Sequence, residues 1–313
     1  MSDEGFRGGV LFTEILANHL YSNNSPTMQN RFRQKTVQVH GPRSEIQGPS
    51  ARLTDNTSNR PPNFDSSPAR RYDDHHNACG GRGKMTIKIY DLCGADDRRF
   101  SPFCWRVRMA LAHKGLEAEF VPMRFTEKDK IAFADSKTVP VLVDGETAMN
   151  QSWDIADYLE QTYPDAPSLF GGDAGRALTG FINAWTNATL HPVLIRCVIA
   201  EVFDRIDEAD KAYFREDREK RFGKTIEELR EEQNGALEKL DGALTPLRTI
   251  LKSEDWIAGD APAFADHLIF SAFQWCRIMS PTEIVKPGDP IHGWRERMLD
   301  LFDGMGRGFK AAA

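Results

Sequence analysis

The chain has 313 residues, 40% of them hydrophobic and 27% charged, with a formal net charge of −6. That length suffices for one or two domains with proper cores, and the acidic balance excludes a nucleic-acid binder working through a basic face. No apolar run approaches the roughly 18 residues that span a bilayer, so no membrane partner is expected.

The five cysteines, Cys79, Cys93, Cys104, Cys197 and Cys276, are odd in number and show no paired spacing. They suit a reducing compartment better than a disulfide framework, and a cytoplasmic location is expected. Near the start, the apolar patch from Val10 to Leu16 is interrupted by Glu14 and preceded by Asp3 and Glu4, which makes a poor signal or transit peptide.

Residues 1–84 read as a disordered extension. From Tyr21 onward the composition is Asn, Ser, Pro, Arg, Gln and Gly, with interruptions such as Arg60-Pro61-Pro62 and Gly80-Gly81-Arg82-Gly83. Such a stretch buries too little apolar surface to offset its ordering entropy. Met85 opens the first well-patterned strand and is a candidate natural start. Asp73-Asp74-His75-His76 with Cys79 has metal-ligand residue types, but an unheld charge run reads as solvated, because metal sites need fixed geometry. No metal and no bound organic cofactor are expected. This segment holds 11 Lys and Arg against 8 Asp and Glu, leaving 29 against 38 for the remainder, so the folded part is acidic.

Residues 85–170 read as a small α/β domain. Thr86 to Tyr90 is a strand. Ser101 has N-cap chemistry, and Pro102 suits the first helical position. Phe103, Val107, Ala110 and Leu111 recur at helical spacing, which predicts a helix over 102–114 ended by Gly115. Ser101 would then sit at a helix mouth, beside free backbone N–H groups and the positive dipole end, where an anion such as a thiolate is stabilised. Capping alone also accounts for Ser101-Pro102. Glu117 to Met123 alternates as a second strand, able to pair in parallel with the first. A polar loop, 126–137, carries a short helix over Lys128 to Ala134. Val139 to Val143, Asp144-Gly145 and Thr147 to Met149 form a hairpin. Pro140 fits either a plain strand entry or a cis turn, and a cis bond would present the Val139 backbone. A helix follows over Ser152 to Tyr163, giving the order βαβαββα.

Residues 174–313 read as all-helical. Ala174 to Ile206 is one long helix kinked at Pro192, with Phe181, Trp185, Leu190, Ile195 and Val198 on its buried stripe. Arg205 to Glu232 is dense in both charges and reads as a solvated insertion. Apolar residues from Ile226 to Leu251 keep heptad-like steps, but Gly235, Gly242 and Pro246 favour an amphipathic bundle helix over a coiled coil. Leu268 to Cys276 lie in another helix, and Gly293 to Phe302 add a last one.

Over about residues 85–310 these parts resemble the glutathione transferases. The resemblance rests on the element order, Ser101-Pro102 at the first helix, Val139-Pro140 before the hairpin, and Gln151-Ser152 followed by Ile155-Ala156-Asp157-Tyr158-Leu159. The Ser-Pro-Phe-Cys-Trp-Arg form and the run Asp300 to Arg307 are most similar to the bacterial β-etherase-like branch and its fungal relatives. That branch cleaves aryl ethers or conjugates aromatic compounds with glutathione.

The resemblance implies a thioredoxin-like α/β domain followed by an all-α domain, and a glutathione transferase acting on a hydrophobic electrophile. It implies that Ser101 hydrogen-bonds the glutathione sulfur and that Val139, ahead of Pro140, pairs its backbone with the cysteinyl part. Gln151 and Ser152 would hold the γ-glutamyl end, and Lys137 would reach the glycine end. Gln151 stands where the family more often has Glu. The electrophile pocket would draw on Phe103, Trp105, Trp185, Arg196 and Trp275. Asp266 would serve a structural capping motif in which Ala263 replaces the usual Ser or Thr. Glutathione is then a co-substrate, and a homodimer is expected. Two rivals stand beside this reading. One is a non-catalytic carrier of hydrophobic ligands with the same fold. The other is a glutathione-linked reductase or peroxidase using Cys93 or Cys104, since Ser101-Pro102-Phe103-Cys104 has dithiol spacing with its first Cys replaced.

Overall fold

The structure, a computed structural model, describes residues 86–313. The expectations for residues 1–84, including the Asp73 to His76 run with Cys79, and the start at Met85 lie outside the described residues.

Strand β1 (Ile87–Leu92) pairs in parallel with β2 (Ala118–Met123) and antiparallel with β3 (Val141–Asp144). Gly145 supplies the left-handed turn, φ 63°, that reverses β3 into β4 (Thr147–Asn150). The sheet order is β2-β1-β3-β4. The Val139–Pro140 peptide is cis. Helices α1 (Pro102–His113) and α2 (Ser152–Thr162) cover one face, where Ile87, Ile89, Val107, Leu142, Ile155 and Leu159 form a closed core. The short helix expected over Lys128 to Ala134 is a 3-10 turn, and its Ile131 seals the other face against Met123 and Val141.

The remainder is helical: α3 (Asp173–Trp185), α4 (His191–Arg205), α5 (Glu208–Phe222), α6 (Ile226–Glu231), α7 (Gln233–Ala243), α8 (Thr245–Ile250), α9 (Phe264–Met279) and α10 (Pro290–Gly308). Four readings of the sequence are corrected. The long helix is interrupted ahead of Pro192 by a π turn, Thr186–Leu190, a register slip that accommodates the missing proline donor. Phe181 does not join the buried stripe. It is 70% exposed, as is Leu178 one turn earlier, while Ile182 and Trp185 face inward. The charge-dense stretch after Arg205 is no loose insertion. It folds as α5 and α6, which dock through Phe214, Ile226 and Leu229. The last helix starts three residues early and is broken by left-handed residues at Phe302, Asp303 and Gly304.

Every residue of α9 except Arg277 is buried, because this helix lies between α1 and the rest of the bundle. Its first turn is organised by Asp266. The carboxylate accepts the backbone N–H groups of Ile257 (2.8 Å), Ala258 (3.1 Å) and Ala263 (3.2 Å) and the indole N–H of Trp294 (2.9 Å). Ala263 has no side-chain acceptor of its own, so the cap rests on Asp266 alone. Asp266→Ala would strand these buried donors and is expected to cost roughly 3 kcal/mol, a fall in melting temperature of about 6–12 °C. Calorimetry showing an unchanged melting temperature would overturn this assignment.

Candidate functional site

The sheet register brings separate stretches of chain to one edge. Tyr90, near the end of β1, lies opposite Val141 at the start of β3, and Val141 lies opposite Asn150 at the end of β4. The segment leaving β1, the segment entering β3 and the segment leaving β4 therefore share one end of the sheet. Ser101 lies on the first, Val139 and Pro140 on the second, and Gln151 and Ser152 on the third. The mouths of α1 and α2 open at that same end.

Ser101 caps α1, its Oγ accepting the Cys104 N–H at 3.3 Å. Its O–H remains a donor for something else. The residue is 4% exposed. The loop that delivers it, 93–100, is pinned from below. Asp91, buried on β1, accepts from Arg108 (2.7 Å) and Arg99 (3.4 Å), and Arg99 also meets Asp97 at 2.6 Å. Gly94 fits this loop because a Cβ there would stand 2.9 Å from the Arg205 carbonyl oxygen. None of Asp91, Arg99 and Arg108 was singled out in the sequence. A lone acid in a strand and two distant arginines give no local signal.

At the second helix mouth, Gln151 is exposed and holds φ 71°, ψ 114°, a strained conformation for a residue with a side chain. No side chain caps α2, so its first N–H groups are free to meet an anion. Ser152 is buried behind them. Lys137 is exposed and Val139 half-buried.

The expected pocket residues divide. Phe103 and Trp275 come together through a residue the sequence reading missed, His191. Its ring meets Phe103 edge-on at 5.4 Å and Trp275 at 6.4 Å. Trp105 lines no opening: it is 1% exposed, packs against Phe270 and Phe309, and donates its indole N–H to the Arg99 carbonyl at 2.7 Å. Trp185 is half-buried against the helical core, and Arg196 lies over the Phe222 ring of α5 at 5.3 Å. Another missed residue is Asp210 of α5, fully buried. It accepts the N–H groups of Phe125 and Thr126, each at 3.0 Å, and the Thr126 hydroxyl at 2.8 Å. This fixes Phe125 between Phe214 and Phe100, the neighbour of Ser101. The aromatics Phe203, Tyr213 and Phe214 were the available sign that this charged stretch docks.

Against this geometry the comparisons are direct. A family model described as the glutathione S-transferase N-terminal domain matches residues 97–167, and one for the C-terminal domain matches residues 177–300. The chain belongs to the glutathione S-transferase superfamily. The Arabidopsis thaliana protein named glutathione S-transferase Z1 is 42% identical over 92 residues, 28% of this chain and 39% of that protein. The chain spans 39%, 31% and 38% of the length of three plant relatives it matches. Glutathione transferase GSTFuA3 of Phanerochaete chrysosporium superposes with a TM-score of 0.63 at 22% identity, covering 70% of this chain and 96% of that one. A glutathione S-transferase of Ceriporiopsis subvermispora, solved in complex with glutathione, gives 0.59 at 22% identity, covering 69% and 96%. The superfamily fold is thus present, a four-stranded thioredoxin-like domain followed by a helical one, and the superfamily uses glutathione as co-substrate. Among the described residues no helix is long and apolar enough to cross a membrane.

The cysteines among the described residues are poor thiolates. Burial, with the Asp97 hydrogen bond and charge, pushes Cys93 up to about 11. Cys104 is driven well above the thiol range by burial and by Asp91, which the Ser101 hydrogen bond offsets only in part. Burial likewise raises Cys197 to about 12 and Cys276 well above its usual value. Raised thiol pKa values disfavour the thiolate on which the reductase reading depends. At pH 8, about 0.1% of Cys93 would be thiolate. Its alkylation by iodoacetamide, followed by peptide mapping, is expected to be slow at pH 8 and to accelerate toward pH 11. A fast reaction at pH 7 would contradict the assignment.

Proposed function

We propose that the protein is a glutathione transferase that holds the glutathione thiolate at Ser101 and adds it to a hydrophobic, aromatic electrophile. The supporting observation is the meeting, at one sheet end, of the two helix mouths and the segment entering β3. In this reading the Ser101 O–H donates to the sulfur. The Val139 backbone pairs with the cysteinyl part, the Ser152 N–H receives the γ-glutamyl carboxylate, Gln151 flanks it, and Lys137 reaches the glycine end.

The magnitudes suffice. A free thiol of pKa about 8.5 is roughly 3% ionised at pH 7. Lowering it by about two units requires about 2.7 kcal/mol of differential stabilisation. A hydrogen bond to the charged sulfur supplies about 1.5–3 kcal/mol, and the helix mouth adds roughly 0.3–1. Holding the electrophile beside Phe103, His191 and Trp275 contributes proximity. The thiolate then forms a carbon–sulfur bond as the leaving group departs with the electron pair. In conjugation that group is a halide or its equivalent. In aryl-ether cleavage, which rests on the Ser-Pro-Phe-Cys-Trp-Arg resemblance, it is an aryloxide.

The exposed pair Leu178 and Phe181 on α3 supports a homodimer, because two large apolar side chains one turn apart need a cover. Phe181→Asp is expected to convert the dimer to monomer in sedimentation velocity at micromolar protein. A monomeric wild type would refute the dimer.

Titration of bound glutathione by thiolate absorbance tests Ser101. Wild type is expected to show a thiol pKa depressed by about two units. Ser101→Ala should raise it by at least one and reduce kcat/KM at pH 6.5 by roughly 10–100-fold. The lost cap costs only about 1 kcal/mol of stability, so the variant folds. An ordinary thiol pKa in wild type would refute the mechanism and leave the carrier reading.

A further inference from the structure

A small cavity of about 40 Å³ lies between α4, α5 and α9. Ile195, Ile199, Val202, Phe214 and Trp275 line it together with one charged side chain, Arg218. The Arg218 guanidinium lies over Phe214 at 4.8 Å and Phe125 at 5.8 Å. Its Nε is buried and has no partner among the described residues. It pairs with Asp217, its chain neighbour on the same helix, whose side chain is 39% exposed. That pair engages the Arg218 terminal nitrogen and leaves the buried Nε open to an acceptor inside the cavity.

The wall behind Trp275 points the same way. Arg106 is 1% exposed; its guanidinium bonds the neutral side-chain oxygens of Asn183 (3.1 Å) and Asn187 (3.0 Å) and lies over the Phe103 ring at 4.7 Å. Its Nε and the Nε2 of His191 are both buried without partners among the described residues. Burial lowers the Arg106 pKa to about 9, and burial together with the Arg106 charge holds His191 well below its usual value. A second buried cation, Arg106, thus lies near His191, whose ring meets Trp275, with no carboxylate bonded to it among the described residues, while Arg218 is the cation that lines the cavity itself. A neutral hydrophobic ligand would leave the buried Arg218 Nε without a partner.

We infer that the electrophile is a hydrophobic acid, an aryl or alkyl compound bearing a carboxylate that meets Arg218, which rests on the transferase reading for there being an electrophile at all. The roof must lift to admit it, since an apolar cavity of roughly 150 Å³ is what holds a benzene-sized ring. Of α5 only Asp210 and Phe214 are fully buried, so lifting it means breaking the three Asp210 hydrogen bonds and the Phe214 packing while its other residues already meet solvent.

The test is calorimetric titration of the full chain, with glutathione saturating, using 1-naphthoate and its neutral analogue 1-naphthalenemethanol. Wild type is expected to bind the naphthoate roughly 10–100-fold more tightly, the worth of one charge-assisted hydrogen bond. Arg218→Gln should abolish that preference while leaving the alcohol's affinity unchanged. Arg218→Lys should retain part of it. Arg215→Gln, on the same helix but paired with Glu219 and Glu227, should retain all of it. Absent or equal binding of the two probes by wild type, a preference that survives Arg218→Gln, or displacement of naphthoate by glutathione would each overturn the inference. None of these bears on the thiol titration at Ser101, which can fail or succeed independently.

Discussion

The first helix has no free side, and the rest of the molecule is arranged around that constraint. Seven of its twelve residues are buried. Below, Arg108 reaches the buried Asp91 carboxylate on β1. Behind, Trp105 packs edge-on to Phe270 of α9 and to Phe309. At the side, Arg106 bonds Asn183, in the last turn of α3, and Asn187, inside the π turn that follows. A shift of α1 toward the sheet would open the contact with α9, and a shift the other way would strand Asp91. In a close-packed interior neither movement is cheap. Ser101, at the mouth of this helix, inherits its fixed position, which is what a hydrogen bond to a reacting atom requires.

The same helix mouth carries a resident thiol that its surroundings hold in the protonated form. Cys104 sits in the first turn of α1, where the dipole favours an anion. It is nonetheless sealed from water and faces the Asp91 charge, and these two effects exceed the help from Ser101. In the proposed reading, a thiol brought in from solvent to the outer side of Ser101 would accept a hydrogen bond from its O–H and feel the dipole without full burial. One structural feature therefore suppresses a resident thiolate and favours a visiting one.

Charge density misleads about burial in α5. A helix this rich in Arg, Asp, Glu and Lys has too little apolar surface to dock by the hydrophobic effect alone. It is held instead by directed polar contacts. Asp210 satisfies three donors of the segment after β2, Asp207 meets Arg124 at 3.2 Å, and Lys128 meets the Tyr213 hydroxyl at 2.9 Å. Such contacts fix where the helix sits, because each is directional and the Asp210 carboxylate is fully buried.

Local sequence determined the elements wherever one signal settled the matter. Ser101-Pro102 started a helix, Gly115 ended it, Asp144-Gly145 turned a hairpin, and alternating apolar residues made strands, because caps, turns and pleats are interactions over a few residues. The meeting of Ser101, Val139 and Gln151 could be argued from element order, since the crossover and the hairpin fix which strand ends lie together. Tertiary structure alone decided the rest. Phe181 and Trp185 are alike in sequence pattern, and only the placement of α3 turned one outward and the other in. Trp105 and Phe103 are two residues apart, and α9 buried one in the core while the other was left facing His191. Asp91, Asp210 and Arg106 acquired their roles from partners 8 to 85 positions away. Even the nearest of these pairs, Asp91 and Arg99, gives no local signal, because what makes each of them matter is the loss of water on burial, and burial is a property of the assembled fold.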